Sequence, residues 1–208
     1  MMASEPDVAA HWDDAYALGE TTRSWFQQLP AMSLRMLDAA GVSADDSVID
    51  VGGGASPLAG VLLERGFTDI TVLDISATGM QYARWCLGSQ AGRIRWRTAD
   101  ILTWRPERHY QAWHDRAVFH FLTTSQARRQ YLQTLRAATS PDAAAVFGCF
   151  APDGPQHCSG LPVARYSPQE LAGQLGSDWT LINQDREEHI TPAGVVQPFT
   201  WAAFRRLP

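Results

Sequence analysis

The 208-residue chain contains no lysine; all seventeen of its basic residues are arginine. That absence removes every mechanism needing a side-chain amine: Schiff-base aldol chemistry, a pyridoxal-phosphate anchor, the phosphate-gripping lysine of a P-loop. Arginine titrates too high to serve as a nucleophile near neutral pH and is left for anion binding and ion pairs. Cysteine is scarce too. Cys86, Cys149 and Cys158 are an odd number without paired spacing, which points to reduced thiols and a cytoplasmic location. No stretch approaches the roughly 18 apolar residues of a membrane span. Met1 to Ala10 offers neither the basic start nor the apolar run of a secretory signal. Positive charge is not in excess, and a formal net charge of -5 argues against non-specific binding to nucleic acid or acidic membrane.

What is present is the composition of an ordinary globular domain, 45% hydrophobic and 19% charged, without repeats or low-complexity tracts. Short apolar runs alternate with helix-length amphipathic segments. Ser47–Val51, Asp69–Asp74, Arg93–Arg97, Gln111–Val118 and Ala143–Phe150 read as strands. Helices are expected over Ser56–Arg65, with Ser56 as cap, Pro57 at the first position and Gly66 past the end, then over Ser76–Leu87 and Thr124–Ala138. This alternation predicts right-handed crossovers and a doubly wound parallel sheet covered on both faces. Trp179–Glu187 and Gln197–Arg205 add two strands as a C-terminal antiparallel hairpin, making seven. The whole chain, 1–208, reads as one domain. Its first 46 residues, with helices at His11–Gly19 and Ala31–Ala40, are expected to cap the open edge of the sheet. Ala151–Pro168, with four prolines, leaves the C-terminal end of a central strand and is expected to be functional.

The strongest local signal is Asp50-Val51-Gly52-Gly53-Gly54-Ala55-Ser56-Pro57. Glycines at a strand-to-helix junction admit a ligand to the backbone where a Cβ would obstruct it, although such a run can also be a mere tight turn. A dinucleotide-binding turn would place a third glycine where Pro57 stands. Asp50, two places before Gly52, suits a cationic ligand group and opposes a pyrophosphate. Asp74 ends the second strand, where a carboxylate can accept two ribose hydroxyls. Asp100 and Ile101 follow the third strand, where an acid can take an adenine amino group while an apolar neighbour covers the ring. Asp115 lies in the fourth. Each could be an ordinary cap or loop residue; all four at one edge of one sheet point to a ligand.

With these residues in view, the sequence resembles the class I S-adenosylmethionine-dependent methyltransferases over nearly its whole length. VIDVGGGASPL is similar to the family's first motif, VLDIS to its second-strand acidic motif, TADI to the adenine-contacting one and WHDRAVFHFL to the fourth-strand motif. HWDDAY and RSWFQ resemble a subgroup whose N-terminal helix and aromatics fold over the cofactor. That subgroup is similar to small protein-lysine methyltransferases, and thiopurine- and tellurite-type methyltransferases share its layout. Ser56 departs from the third glycine of many members. The resemblance implies a Rossmann-like fold, S-adenosylmethionine as cofactor and a helical cap over its site in residues 1–46. It further implies cofactor contacts at Tyr16, Trp25, Asp50, Gly52, Gly54, Asp74, Ile75, Asp100, Ile101 and Asp115.

A sulfonium methyl is already activated, so alignment and exclusion of water are the main tasks, and a base is needed only for a protonated acceptor. His114, Asp115 and His120 are the candidates for catalysis. Arg116 either joins them or pairs with a carboxylate. Trp12, Tyr16, Trp25 and Phe26 are candidate lid aromatics or ordinary core, and His157, Cys158, Arg165 and Tyr166 could reach an acceptor from the long loop. His157-Cys158 adjacency is poor ligand spacing, so no metal is expected. The acceptor is a protein lysine, greeted by acids such as Asp153, or a small thiol, chalcogen or amine. The competing readings are an NAD-dependent oxidoreductase on the same fold and a non-catalytic cofactor-binding protein.

Overall fold

The computed structural model describes residues 7–17, 19 and 23–208. Apolar runs that are buried on both sides build the centre of a seven-stranded sheet. In β1 (Val48–Val51) and β2 (Ile70–Asp74) every residue is buried, as a central parallel strand requires. β3 (Ile94–Thr98), β4 (Tyr110–Arg116) and β5 (Thr139–Phe150) complete the parallel set. β8 (Trp179–Ile190) and β9 (Val196–Arg206) are antiparallel, and the spatial order is β3-β2-β1-β4-β5-β9-β8. The expected fold is therefore the observed one. The order reverses between β1 and β4, which opens a crevice at their C-terminal ends.

Side-chain alternation divides the core between the two faces. Val48, Val72, Ala112 and Val146 pack under α2 (Ala31–Ala39), α3 (Leu58–Glu64) and α4 (Ala77–Leu87) through Met36, Leu62 and Met80. Ile49, Leu73, Trp113 and Phe147 face α5 (Ser125–Ala138) and α6 (Pro168–Leu175) through Tyr131, Leu135 and Leu171. The helix starts are fixed by side chains: the Ser76 hydroxyl accepts from Gly79 N at 2.9 Å, Thr124 from Ala127 N at 3.2 Å, and Ser167 with Glu170 forms a reciprocal capping box.

Several boundaries differ from expectation for local reasons. α3 begins at Leu58 with Pro57 as its cap residue, yet Ser56 Oγ still accepts from Leu58 N at 3.2 Å. β5 starts four residues earlier, at Thr139, and its pairing with β4 shifts register between Tyr110 and Ala112. A 3-10 turn, Gly88–Arg93, fills the step from α4 to β3. The long loop contains a two-residue hairpin, β6 (His157–Cys158) with β7 (Leu161–Pro162).

The N-terminal segment corrects one expectation: it does not cover the open edge of the sheet. α2 lies across a face, against β9, β5, β4 and β8, while α1 (Val8–Ala17) lies on α4. The reason is where apolar and acidic groups fall. Met36 and Leu37 give α2 a buried stripe, whereas α1 buries no residue fully and is held by Asp13, whose Oδ1 accepts from Ser76 Oγ at 2.6 Å and Thr78 N at 2.9 Å. No helix among the described residues is long and apolar enough to cross a membrane.

Candidate active site

A cavity of about 370 Å³ opens at the C-terminal ends of β1 to β4, within the size range of ligand sites. A smaller one of about 50 Å³ adjoins it, and the two share Tyr16, Trp25, Gly52 and Arg116 as walls. The glycine loop separates β1 from α3. Gly52 has a φ of +70°, and a Cβ there would run into Val118; Gly53 has room for none, since Asp50 Oδ2 would lie 2.5 Å away and Val72 Cγ1 2.8 Å.

The carboxylates sit where the strand ends put them. Asp74 borders the large cavity, and its Oδ1 accepts from Ser76 N at 2.7 Å. Burial, opposed by bonds from the Ser76 and Gly54 amides, raises its pKa to about 7. Asp100 follows β3 with Oδ1 bonded to Leu102 N at 2.9 Å, and Ile75, Ile101 and Leu102 supply apolar walls beside it. Asp50 lines the small cavity instead. It accepts from His114 Nδ1 at 2.7 Å, while its buried Oδ2 has no hydrogen-bond partner.

Tyr16 and Trp25 border both cavities. A Cβ on Gly54 would collide with the Tyr16 hydroxyl and lie 2.7 Å from Asp74 Oδ2, and one on Gly79 would lie 2.8 Å from the Tyr16 ring. The ring thus fits a cradle made of two glycines, although Gly54 itself borders neither cavity. Arg23 stands over the rings of Tyr16 and Tyr82, at 5.4 and 5.3 Å.

The residues singled out for catalysis fare differently. His114, 2% exposed, reaches only the small cavity, already bonded to Asp50. Asp115 and His120, expected near the methyl group, border neither cavity. The Asp115 carboxylate takes the Val118 and Phe119 amides and the Tyr131 hydroxyl, so it ties down the turn after β4; burial raises its pKa to about 6. His120 is held neutral, with a pKa near 3, by burial and the charge of Arg116. Its Nδ1 accepts from Phe150 N at 3.4 Å. Both serve the packing of the crevice floor.

From the long loop only Cys158 reaches the large cavity, beside Leu161 and Pro162. His157 is exposed, Arg165 donates to the Gly154 carbonyl, and Tyr166 packs in the core against Phe119. Phe26 borders the small cavity, Trp12 the large one. Asp153 is not free to meet a cation, being paired with both terminal nitrogens of Arg186 at 2.9 Å.

A second network was not read from the sequence. Glu187 on β8 accepts from Gln27 Nε2 at 2.6 Å and from Trp201 Nε1 at 2.8 Å. His189 Nε2 donates to the Ser24 carbonyl at 2.7 Å, and Arg116 Nη1 to the Trp25 carbonyl at 2.9 Å. These bonds fix the backbone on either side of Trp25 to the sheet. Glu187 and His189, two apart on β8, share one strand face, but nothing local ties them to residues about 160 positions earlier.

Residues 48–142 match a family model described as a methyltransferase domain. No curated protein matches the sequence significantly. Among solved structures, one described as "Conversion of a Disulfide Bond into a Thioacetal Group during Echinomycin Biosynthesis" aligns at 21% identity and a TM-score of 0.75, over 96% of this chain and 92% of that one. The 1,6-didemethyltoxoflavin-N1-methyltransferase of Burkholderia thailandensis aligns at 17% identity and 0.70, over 100% and 92%. A methyltransferase of Anabaena variabilis aligns at 14% identity and 0.72, over 97% and 96%. At these identities the likeness establishes the shared fold.

Proposed function

From a chain whose residues 48–142 match a methyltransferase domain and whose fold is shared with S-adenosylmethionine-dependent methyltransferases, we propose an enzyme that moves a methyl group from S-adenosylmethionine to a small-molecule acceptor. The observation that carries this reading is the row Asp50, Asp74, Asp100 at the ends of β1, β2 and β3 around a glycine cradle. The donor set fits the cofactor. Asp50 Oδ2, buried and lacking a partner, meets the need of an ammonium group. Asp74 would take the ribose hydroxyls, Asp100 the adenine amine, and Ile75 and Ile101 would cover the ring. Tyr16 and Trp25, with α1, would form the cap over it. When bound, the cofactor supplies an electrophilic methyl group.

An oxidoreductase using NAD is disfavoured by the same residues, because the Asp50 carboxylate beneath the loop would repel a pyrophosphate and Pro57 brings no amide to the start of α3. The neighbour from Burkholderia thailandensis was crystallised with S-adenosylhomocysteine and a small acceptor, which supports the parallel reading here.

The acceptor end of the cavity is walled by Trp12, Trp25, Phe121, Leu161 and Pro162, with Arg116 as its charged group. A protein lysine would want a carboxylate there, and Asp153 is engaged elsewhere. A small acceptor suits these walls. With no histidine or carboxylate among the described residues bordering that end, the acceptor would arrive already deprotonated, as a thiolate can, or lose its proton to water. The free thiol of Cys158 suits a reducing compartment such as the cytoplasm.

The test is transfer of labelled methyl from S-adenosylmethionine into a cell extract, followed by separation by size. Label in the small-molecule fraction is expected. Label confined to protein would overturn the small-acceptor reading, and cofactor binding without transfer to any fraction would favour a non-catalytic protein.

A further inference from the structure

Arg116 is the feature of the crevice that cofactor binding leaves unexplained. It borders the large cavity at the end lined by Trp12, Trp25, Phe121 and Cys158. Its guanidinium lies 5.1 Å over the Phe199 ring, and Nη1 donates to the Trp25 carbonyl. Nε and Nη2 are shut off from solvent and have no hydrogen-bond partner. Among the described residues no carboxylate forms an ion pair with it. Of the acids whose charge it feels, Glu187 holds Gln27 and Trp201 with its two oxygens, and Asp50 holds His114 with Oδ1 while its unpartnered Oδ2 is the oxygen assigned above to the cofactor's ammonium group.

A guanidinium cannot lose its proton to escape burial, so the unpartnered donors on Nε and Nη2 call for an anion to complete the site. A carboxylate matches the fork of Nε and Nη2 with two parallel bonds. Arg23 lines the small cavity together with Asp50, Gly53 and Ser56 and does not border the large one, whereas Arg116 borders both. Arg116 is therefore the arginine that also faces the apolar walls of the large cavity.

Resting on the methyltransferase reading, we propose that the acceptor is a compact organic carboxylate whose anionic group is held by Arg116, with its body between Trp25, Phe121 and Leu161. Such a molecule gains both the ion pair and the apolar walls. A neutral isostere gains only the walls, and a cationic amine is repelled.

The test uses benzoate and its neutral isostere benzamide as probes, followed by intrinsic tryptophan fluorescence, to which Trp12 and Trp25 contribute from the cavity wall, with and without saturating S-adenosylhomocysteine. The wild-type protein is expected to prefer benzoate by about tenfold or more, the range of a charge-assisted bidentate bond. Arg116→Gln is expected to erase that preference and change S-adenosylhomocysteine affinity by less than about threefold, a twofold-to-threefold change being under 1 kcal/mol. Arg116→Lys, which keeps the charge without the fork, is expected to retain part of the preference. Equal binding of the two probes by the wild type overturns the proposal. So does a collapse of S-adenosylhomocysteine binding in both variants, which would assign Arg116 to the cofactor carboxylate. Failure of the wild type to bind S-adenosylhomocysteine would instead overturn the methyltransferase reading, and the benzoate preference measured alone would still decide the anion site.

Discussion

At the scale of single residues, Asp74 carries the most specific consequence. Its carboxylate would accept both ribose hydroxyls, one on each oxygen, when ionised and loses one of those acceptors to a proton when neutral, and in the ligand-free protein burial holds its pKa near 7. Affinity for S-adenosylhomocysteine should therefore rise between about pH 6 and pH 8 and level off above. The stability counterpart has the opposite sign. The fold keeps a proton that the unfolded chain has released at about pH 4, so Asp74 weakens the ligand-free fold as pH climbs from about 4 to about 7, and the loss levels off above that. Asp74→Asn should bind roughly ten- to a hundredfold more weakly at pH 8, the cost of a lost hydrogen bond to a charged group, and should lose the pH slope. Calorimetry at several pH values measures both. Gly53→Ala offers a steric test: its Cβ would press on Asp50 and Val72, and a loss of about 1–3 kcal/mol in urea denaturation is expected.

These acids were legible in the sequence because a strand end in a parallel sheet is a fixed address, and Asp74 and Asp100 fell on theirs. Asp115 was placed on the right strand but given the wrong neighbours. Its partners, Tyr131 and the amides of the next turn, come from how β4 breaks and α5 packs, which no spacing encodes. His120 likewise looked like a catalytic group and is a neutral residue beneath Phe150.

At the scale of elements, the sheet was readable and the attachments to it were not. Apolar runs and glycine stops marked central strands such as β1 and β2, where burial on both faces leaves no room for polar residues, and β-rich segments around a turn marked the more exposed β8 with its partner β9. The N-terminal segment was expected at the edge because it is too short to form a domain of its own and its sequence does not name the surface it docks on. In the structure it is tethered by polar bonds, Asp13 to the start of α4 and Glu187 and His189 to residues 24–27. Removing one tether tests this arrangement. Glu187→Ala leaves the buried Trp201 Nε1 unpaired and the Gln27 amide with only its 3.5 Å contact to His189 Nδ1, and a loss of about 1–3 kcal/mol is expected. The chain should also become more readily cut by trypsin at Arg23, with S-adenosylhomocysteine slowing the cut by holding Trp25 in place. Unchanged cleavage would show that the segment is held some other way.

At the scale of the whole molecule, the missing lysine takes on a narrower meaning. On the proposed reading, a cofactor held by carboxylates, backbone and apolar walls would have no need of an amine, and the charge facing the acceptor would be Arg116, whose guanidinium keeps its proton when buried. Ligand binding at the crevice between α1, the glycine loop and the strand ends should stabilise the whole fold. At about a hundred times its Kd, S-adenosylhomocysteine should add about 2.7 kcal/mol and raise Tm by roughly 5–10 °C for a chain of this size. The most direct measurement is a calorimetric titration of the purified protein with S-adenosylhomocysteine and, separately, with NAD. Saturable one-to-one binding of S-adenosylhomocysteine, weakened in Asp74→Asn and with no heat from NAD, is the expected result. Binding of NAD with none of S-adenosylhomocysteine would contradict the reading of the crevice as a methyl-donor site.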